Sequence, residues 1–290
     1  MIGVIVSGIG IAGSVRIRDL LSPQHASPSE KLNLVGFVSR RDLKEVQQVK
    51  QMTLEDALKG EEVHTAIICT ENVAHEESVR KFLEAGKHVC VEYPMTLSAA
   101  SAHELYNIAD QKGIVLHIEH IELLTEDYKQ LKQDVHGKKL IEGLLHFTGG
   151  PLDKHKFGFL SFNGIARLTW LVDLFGELSF TSASFEENTD DSYSRLTAHF
   201  TTNDNRPLTW IEERAPGLKR AKQINFQFES CTIDHLPRVP GAPVGLFMQD
   251  LNLFAEKLLG WVSTKQLAAE KRRILHCLSL ADQIREFCKQ

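Results

Sequence analysis

Apolar and polar positions alternate in blocks through the first 120 residues. Short apolar runs open at Val4-Ile5-Val6 and recur at residues 32–38, 63–69, 87–91 and 114–118. Stretches of helical length lie between them. Thr53, with Asp56 three residues on, marks one helix start, and a helix over about 74–85 closes at Gly86. Ser98 can cap a helix running to Lys112, with Gly113 behind it. Buried strands alternating with capped helices predict an α/β unit with a parallel, doubly wound sheet ending near residue 119.

Beyond that point the pattern changes. Candidate strands at 140–148, 178–187, 195–202, 208–213 and 223–229 follow one another through short connections, one of them the turn Asn203-Asp204-Asn205. Such spacing favours a mainly antiparallel sheet. Helices are expected at 164–175, 246–259 and 265–288. The division is therefore 1–119 for an α/β domain and 120–290 for an α+β domain. Ligands are expected at the carboxyl ends of the first domain's strands, facing the second.

Composition narrows the classes. The 290 residues are 42% hydrophobic and 24% charged, with a formal charge of -5. A general nucleic-acid binder needs a basic surface, so nucleic acid is not an expected partner. No apolar run reaches the ~20 residues of a membrane span. Five scattered cysteines, Cys69, Cys90, Cys231, Cys277 and Cys288, fit reduced thiols and a cytoplasmic protein. The lack of a long exposed apolar stripe favours a monomer.

Residues 4–16, V-I-V-S-G-I-G-I-A-G-S-V-R, hold Gly8, Gly10 and Gly13 in G-x-G-x-x-G spacing between a strand and a helix. Gly8 permits the tight turn, Gly10 lets backbone approach a pyrophosphate, and Gly13 lets helix and strand pack closely. Ile11 and Ala12 complete the loop. The second strand ends in Ser39-Arg40-Arg41, where an enzyme for NAD usually carries an acid for the ribose 2′-hydroxyl. A hydroxyl and two guanidinium groups suit a 2′-phosphate, so NADPH is expected over NADH. Cys69, Thr70, Glu71 and His75, after the third strand, are expected beside the cofactor.

The segment A-G-K-H-V-C-V-E-Y-P over residues 85–94 resembles the A-G-K-H-V-x-V-E-K-P signature of the glucose-fructose oxidoreductase and inositol dehydrogenase superfamily. Those sugar oxidoreductases carry a catalytic lysine before the proline, where this chain has Tyr93. With Gly-Ser-Val-Arg at 13–16, Phe-Val-Ser-Arg-Arg at 37–41, Arg-Leu-Thr-Trp-Leu-Val at 167–172, Phe-Gly-Glu-Leu at 175–178 and Pro-Gly-Leu-Lys-Arg at 216–220, the chain is similar to the biliverdin reductase family along its whole length. The resemblance implies a Rossmann domain, an open antiparallel sheet, and NAD(P)H-dependent hydride transfer to C10 of biliverdin, giving bilirubin in heme catabolism. A sugar or polyol oxidoreductase and a non-catalytic NADP-binding regulator are the alternatives.

Candidate residues follow. Glu92 and Tyr93 end a parallel strand, and Tyr93 either positions the reacting rings or donates a proton, although a phenol near pKa ~10 is a poor acid at neutral pH. Glu119 and Glu122 could gather with Glu92 as paired carboxylates of raised pKa, or Glu119 could cap the next helix by its charge. Arg167 could grip a propionate or hydrogen-bond the pyrroles, and Lys219, Arg220 and Lys222 form a cluster suited either to propionates or to solvent. His276, Cys277 and Cys288 resemble the zinc-binding end of the mammalian family members only in part, with Lys289 where their second distal cysteine stands. Cys277 and Cys288 would lie ~16 Å apart along a straight helix, so zinc binding is expected to be weak or absent. Ile11 replaces an arginine usual in this family, which would weaken nucleotide affinity or alter cofactor preference.

Overall fold

A computed structural model of the chain describes residues 1–289. Two compact units form, one from Met1–Leu124 with Ala242–Ala268, the other from Thr125–Gly241 with residues 269–289. The expected boundary near 119 is thus crossed again: the chain returns to the first unit late.

In the first unit, β1 (Ile2–Ser7), β2 (Leu32–Val38), β5 (Thr65–Ile68), β6 (His88–Val91) and β7 (Leu116–Ile118) form one parallel sheet in the order β2-β1-β5-β6-β7. A small antiparallel ribbon, β3 (Glu45–Val46) and β4 (Val49–Lys50), lies outside it. The helices of this part are α1 (Ile11–Leu21), α2 (Leu54–Lys59), α3 (His75–Glu84) and α4 (Ala99–Lys112). Both predicted caps form, with Thr53 accepting from the Asp56 amide and Ser98 from the Ser101 amide. Gly113 closes α4 in the left-handed conformation that glycine adopts without Cβ strain. The strand order reverses between β1 and β5, so the crevice at their carboxyl ends is the switch point where a dinucleotide binds.

The second unit contains α5 (Glu126–Val135), β8 (Leu140–Gly149), α6 (Lys154–Phe157), α7 (Leu160–Asn163), α8 (Ile165–Phe175), β9 (Leu178–Asn188), β10 (Tyr193–Thr202), β11 (Pro207–Arg214), β12 (Ala221–Phe228) and β13 (Thr232–Ile233). The six strands run β13-β12-β8-β11-β10-β9, antiparallel except that β8 and β11 pair in parallel. That exception arises because α6 to α8 carry the chain from β8 to β9 at the sheet edge, a connection long enough for a crossover, and β10 and β11 then return antiparallel toward β8. Alternate residues such as Leu145, Phe147, Trp210, Ile224 and Phe226 are buried on one face, as strand periodicity requires. Helix α8 supplies a run of buried residues from Ile165 to Val172.

Helix α9 (Leu246–Leu258) belongs to the first unit, not to the second as expected. Its Met248, Leu251, Phe254 and Ala255 enter the same buried cluster as Val4, Val6, Ile17, Leu20 and Phe37. Helix α10 (Thr264–Cys288) ends the described chain. Among the described residues, no helix is long and apolar enough to cross a membrane.

Candidate active site

The glycine loop turns directly out of β1. Gly8 has φ +95°, and a Cβ there would stand 2.6 Å from the Cys69 carbonyl oxygen, so a side chain would push β1 away from the end of β5. At Gly13 a Cβ would fall 2.0 Å from the Gly8 carbonyl oxygen, which closes the approach of α1 to the loop to any larger residue. Gly10 faces open space, and α1 begins there with no side-chain cap. Its first amides therefore remain to be satisfied by a ligand or water, and the helix dipole favours an anion. Ile11 is 90% exposed beside them, with Ala12 behind. The Thr70 hydroxyl, buried at the end of β5, has no hydrogen-bond partner. These residues fit a dinucleotide pyrophosphate.

At the end of β2, Ser39 Oγ accepts from the Arg41 amide, and the Arg41 guanidinium donates to the Ile9 carbonyl. Arg40 pairs with Glu71 at 3.2 Å, and both arginines are exposed. Ser39, Arg40 and Arg41, the residues expected to take a 2′-phosphate, stand at one strand end with Glu71 against Arg40. His75 needs correction as a cofactor contact. It is fully buried, with Nδ1 2.8 Å from the Pro94 carbonyl and Nε2 2.9 Å from the Thr70 carbonyl. Burial lowers its pKa, and the neutral ring, with one N–H to donate, bonds one of these carbonyls and packs its other nitrogen against the second.

Glu92, Glu119 and Glu122 do gather at the carboxyl ends of β6 and β7. Burial pushes the Glu92 carboxyl up, against the Arg16 charge and a hydrogen bond from Cys69, and its Oε1 has no partner. Glu119 is pushed up further, by burial above all, with Asp250, Glu92 and Glu122 adding to it while Arg16 opposes. The next turn, Ile121–Leu123, starts after His120 with no side-chain cap. Glu119 pairs with Arg16 at 3.5 Å. Tyr93 stacks on His120, centroids 5.9 Å apart and planes within 4°.

Sequence reasoning missed Arg16, His117 and Asp250. Arg16 is 0% exposed and lies 2.5 Å from Asp250, whose other oxygen is 3.0 Å from His117 Nε2. Cys90, His117 and Asp250 bring ligand atoms within 4.8 Å of one another. Both Asp250 oxygens already face donors and Lys257 donates to His117 Nδ1 at 2.7 Å, so two cations fill the positions a metal would need. The expected zinc residues fit an ion no better. His276 Nε2 accepts from the Leu178 amide, and burial pushes the Cys277 thiol up to about 12.

In the second unit Arg167 is not the free grip expected. Its side chain is 4% exposed and holds Glu212 through two bonds of 3.0 and 2.7 Å, stacked 4.1 Å above Phe147. Glu212 lies on the buried face of β11, so α8 meets it with a cation. Arg214 shares that carboxylate at 2.6 Å and also lies over Phe147, as does Arg220 at 5.7 Å. Two arginines thus hold one carboxylate, and a third joins them over the Phe147 ring. Lys219 and Arg220 are exposed, and Lys222 sits 4.3 Å over the Trp170 ring.

A parallel sheet with a glycine loop at its switch point and a basic strand end defines an NAD(P)-dependent oxidoreductase. Residues 2–120 match the oxidoreductase family with an NAD-binding Rossmann fold, and residues 128–240 match the catalytic domain of biliverdin reductase. Biliverdin reductase A of Homo sapiens and that of Mus musculus are each 54% identical over 286 residues, covering 99% of this chain and 96% of theirs. The chain belongs to the biliverdin reductase A family. The crystal structure of biliverdin reductase from Synechocystis sp. PCC 6803, in complex with biliverdin and NADP+, superposes with a TM-score of 0.78 at 20% identity, covering 100% of this chain and 99% of that one. That likeness concerns the fold.

Proposed function

We propose that this chain reduces biliverdin to bilirubin at the expense of NADPH, with NADH as a second donor. The reading is carried by its 54% identity with biliverdin reductase A over 99% of the chain. Tyr93 stands where the sugar oxidoreductases that share the fold carry their lysine, which removes the group that would handle a substrate hydroxyl. Bound NAD(P)H supplies the hydride that goes to C10 of the bilin.

The chain's own residues bind, orient and hold charge. Gly8, Gly10, Ile11, Ala12 and Gly13 present the α1 amides to the pyrophosphate, while Ser39, Arg40 and Arg41 take the 2′-phosphate. Glu71 releases Arg40 on that exchange. Cys69 and Thr70 border the nicotinamide side with Glu92, and Tyr93 holds the rings in place by stacking. Burial raises the pKa of Glu119 and of Glu92, which favours their protonated forms, and these carboxyls deliver the proton to a pyrrole nitrogen. Lys219 and Arg220 receive the propionates. The excess of two positive charges among Arg167, Arg214 and Arg220, which meet over Phe147 with Glu212 as their one counter-charge, supports that attraction. Burial and the neighbouring arginines hold Arg214 below its usual pKa against the pull of Glu212, which agrees with such an excess.

Five free cysteines support a cytoplasmic setting, in which the protein works as a monomer. Absorption spectra of biliverdin mixed with the protein and NADPH test the function. The biliverdin band is expected to fall as that of bilirubin grows, and a spectrum unchanged over many turnover times would refute it.

A further inference from the structure

Arg16 lies on α1, one turn beyond the cofactor loop, yet no part of it reaches solvent. Its Nη1 donates to the Phe247 carbonyl at 2.9 Å and its guanidinium covers the Phe247 ring at 4.9 Å. Its Nη2 faces two acids, Asp250 at 2.5 Å and Glu119 at 3.5 Å. Behind Asp250 stands His117, and behind His117 stands Lys257. An ammonium donates at Nδ1, so the imidazole proton sits on Nε2 and is donated to Asp250 Oδ1. Asp250 is thereby oriented with its second oxygen on Arg16. The line runs from half-exposed Lys257 on α9, through β7, back to α9, across to α1 and on to Glu119 after β7.

We propose that Asp250 and His117 are positioning residues of the reduction: by fixing Arg16 they set where the Glu119 carboxyl stands and whether it keeps its proton. The proposal rests on the reading above that Glu119 and Glu92 hold a proton for the bilin. One cation shared by two acids serves the nearer one first. Burial pushes Asp250 up, but Arg16 and His117 outweigh it and keep its carboxyl well below the usual range. Glu119 receives the weaker, 3.5 Å contact and meets the charge of Asp250, with the Glu92 and Glu122 carboxyls beside it. Cys69 and Cys90 also face this cluster, and burial pushes both thiols up, so they add no charge near neutral pH. Lys257 is the remaining cation. Without the Asp250 charge, Arg16 turns wholly to Glu119 and a repelling neighbour is gone, and both changes favour the carboxylate.

The test is Asp250→Asn, which keeps shape and loses charge. Turnover near neutral pH is expected to fall about tenfold, with the Kd for NADPH within about twofold of the parent. The limb on which kcat declines with rising pH moves down by about one unit. A Kd for NADPH that stays within that range shows that the variant has kept its fold. An infrared band of protonated carboxyl, assigned by its loss in Glu119→Gln, gives a reading independent of activity, and in Asp250→Asn it should vanish at lower pH than in the parent. A band that persists to the same pH overturns the proposal even where reduction proceeds, and a pH profile merely scaled down does so too. If the parent reduces no bilin, the functional reading falls while the infrared result still decides the network.

Discussion

Arg40 and Glu71 form an open, water-exposed pair, and such a pair is worth about 0–1 kcal/mol. Replacing it with charge-assisted bonds to a phosphate is therefore favourable. Changing Arg40 and Arg41 together to Ala should weaken NADPH binding tenfold or more, about 1.5–3 kcal/mol per lost bond, and leave NADH nearly as before; equal losses measured by fluorescence titration would refute the phosphate assignment. Arg167 is the opposite case. Removing a cation from a buried pair costs about 3–5 kcal/mol, so Arg167→Ala should lower stability by that order in urea unfolding. It should also reduce turnover more than Tyr93→Phe, whose stacked ring survives the change. Residues whose place follows from local chain geometry, such as Gly8 and Gly13, were legible in the sequence. Arg16 was not, because its partner Asp250 lies 234 positions away. Nor was the pairing of Arg167, since nothing near it announces Glu212.

Helices α5, α8 and α10 meet at one side chain. Asp173 accepts from Tyr128 and from Lys132 at 2.5 and 2.7 Å, and pairs with Arg273 at 2.7 Å. Burial pushes its carboxyl up, but the hydrogen bonds from Lys132 and Tyr128 and the Arg273 charge win and hold it below the ordinary value. A carboxyl with a depressed folded pKa adds stability above its unfolded pKa of about 4, and that stability is lost as pH falls through the folded value. Asp173→Asn should therefore flatten part of the decline in unfolding free energy below pH ~4 and lower stability at neutral pH; an unchanged acid decline would contradict the pin. His75 acts in the same direction at a higher pH, because a buried neutral ring costs stability as pH falls below the unfolded value of about 6.5. Elements themselves were largely legible, since caps at Thr53, Ser98 and Gly113 and two-residue alternation are written locally. Helix α9 was assigned to the wrong unit because an amphipathic stripe says that a helix is buried but not against what. The two-residue strands β3, β4 and β13 and the short helices α6 and α7 carry too few positions for a period to show.

At the scale of the whole molecule, the strand order places a nucleotide site at β1 and β5, and sequence motifs fix its chemistry. The second unit contributes a mainly antiparallel sheet, one parallel pair and an arginine cluster around Phe147. Alternating polarity foretold the strands of that sheet, but the parallel pairing of β8 with β11 depends on a crossover that no local pattern reveals. Family membership ties both units to one reduction. The most direct measurement uses NADPH carrying deuterium at C4 of the nicotinamide, with biliverdin as acceptor and mass and NMR analysis of the pigment formed. The account predicts bilirubin with a single deuterium at C10 when the transferred face is labelled. Bilirubin formed without label from either face, or label at another carbon, would contradict it.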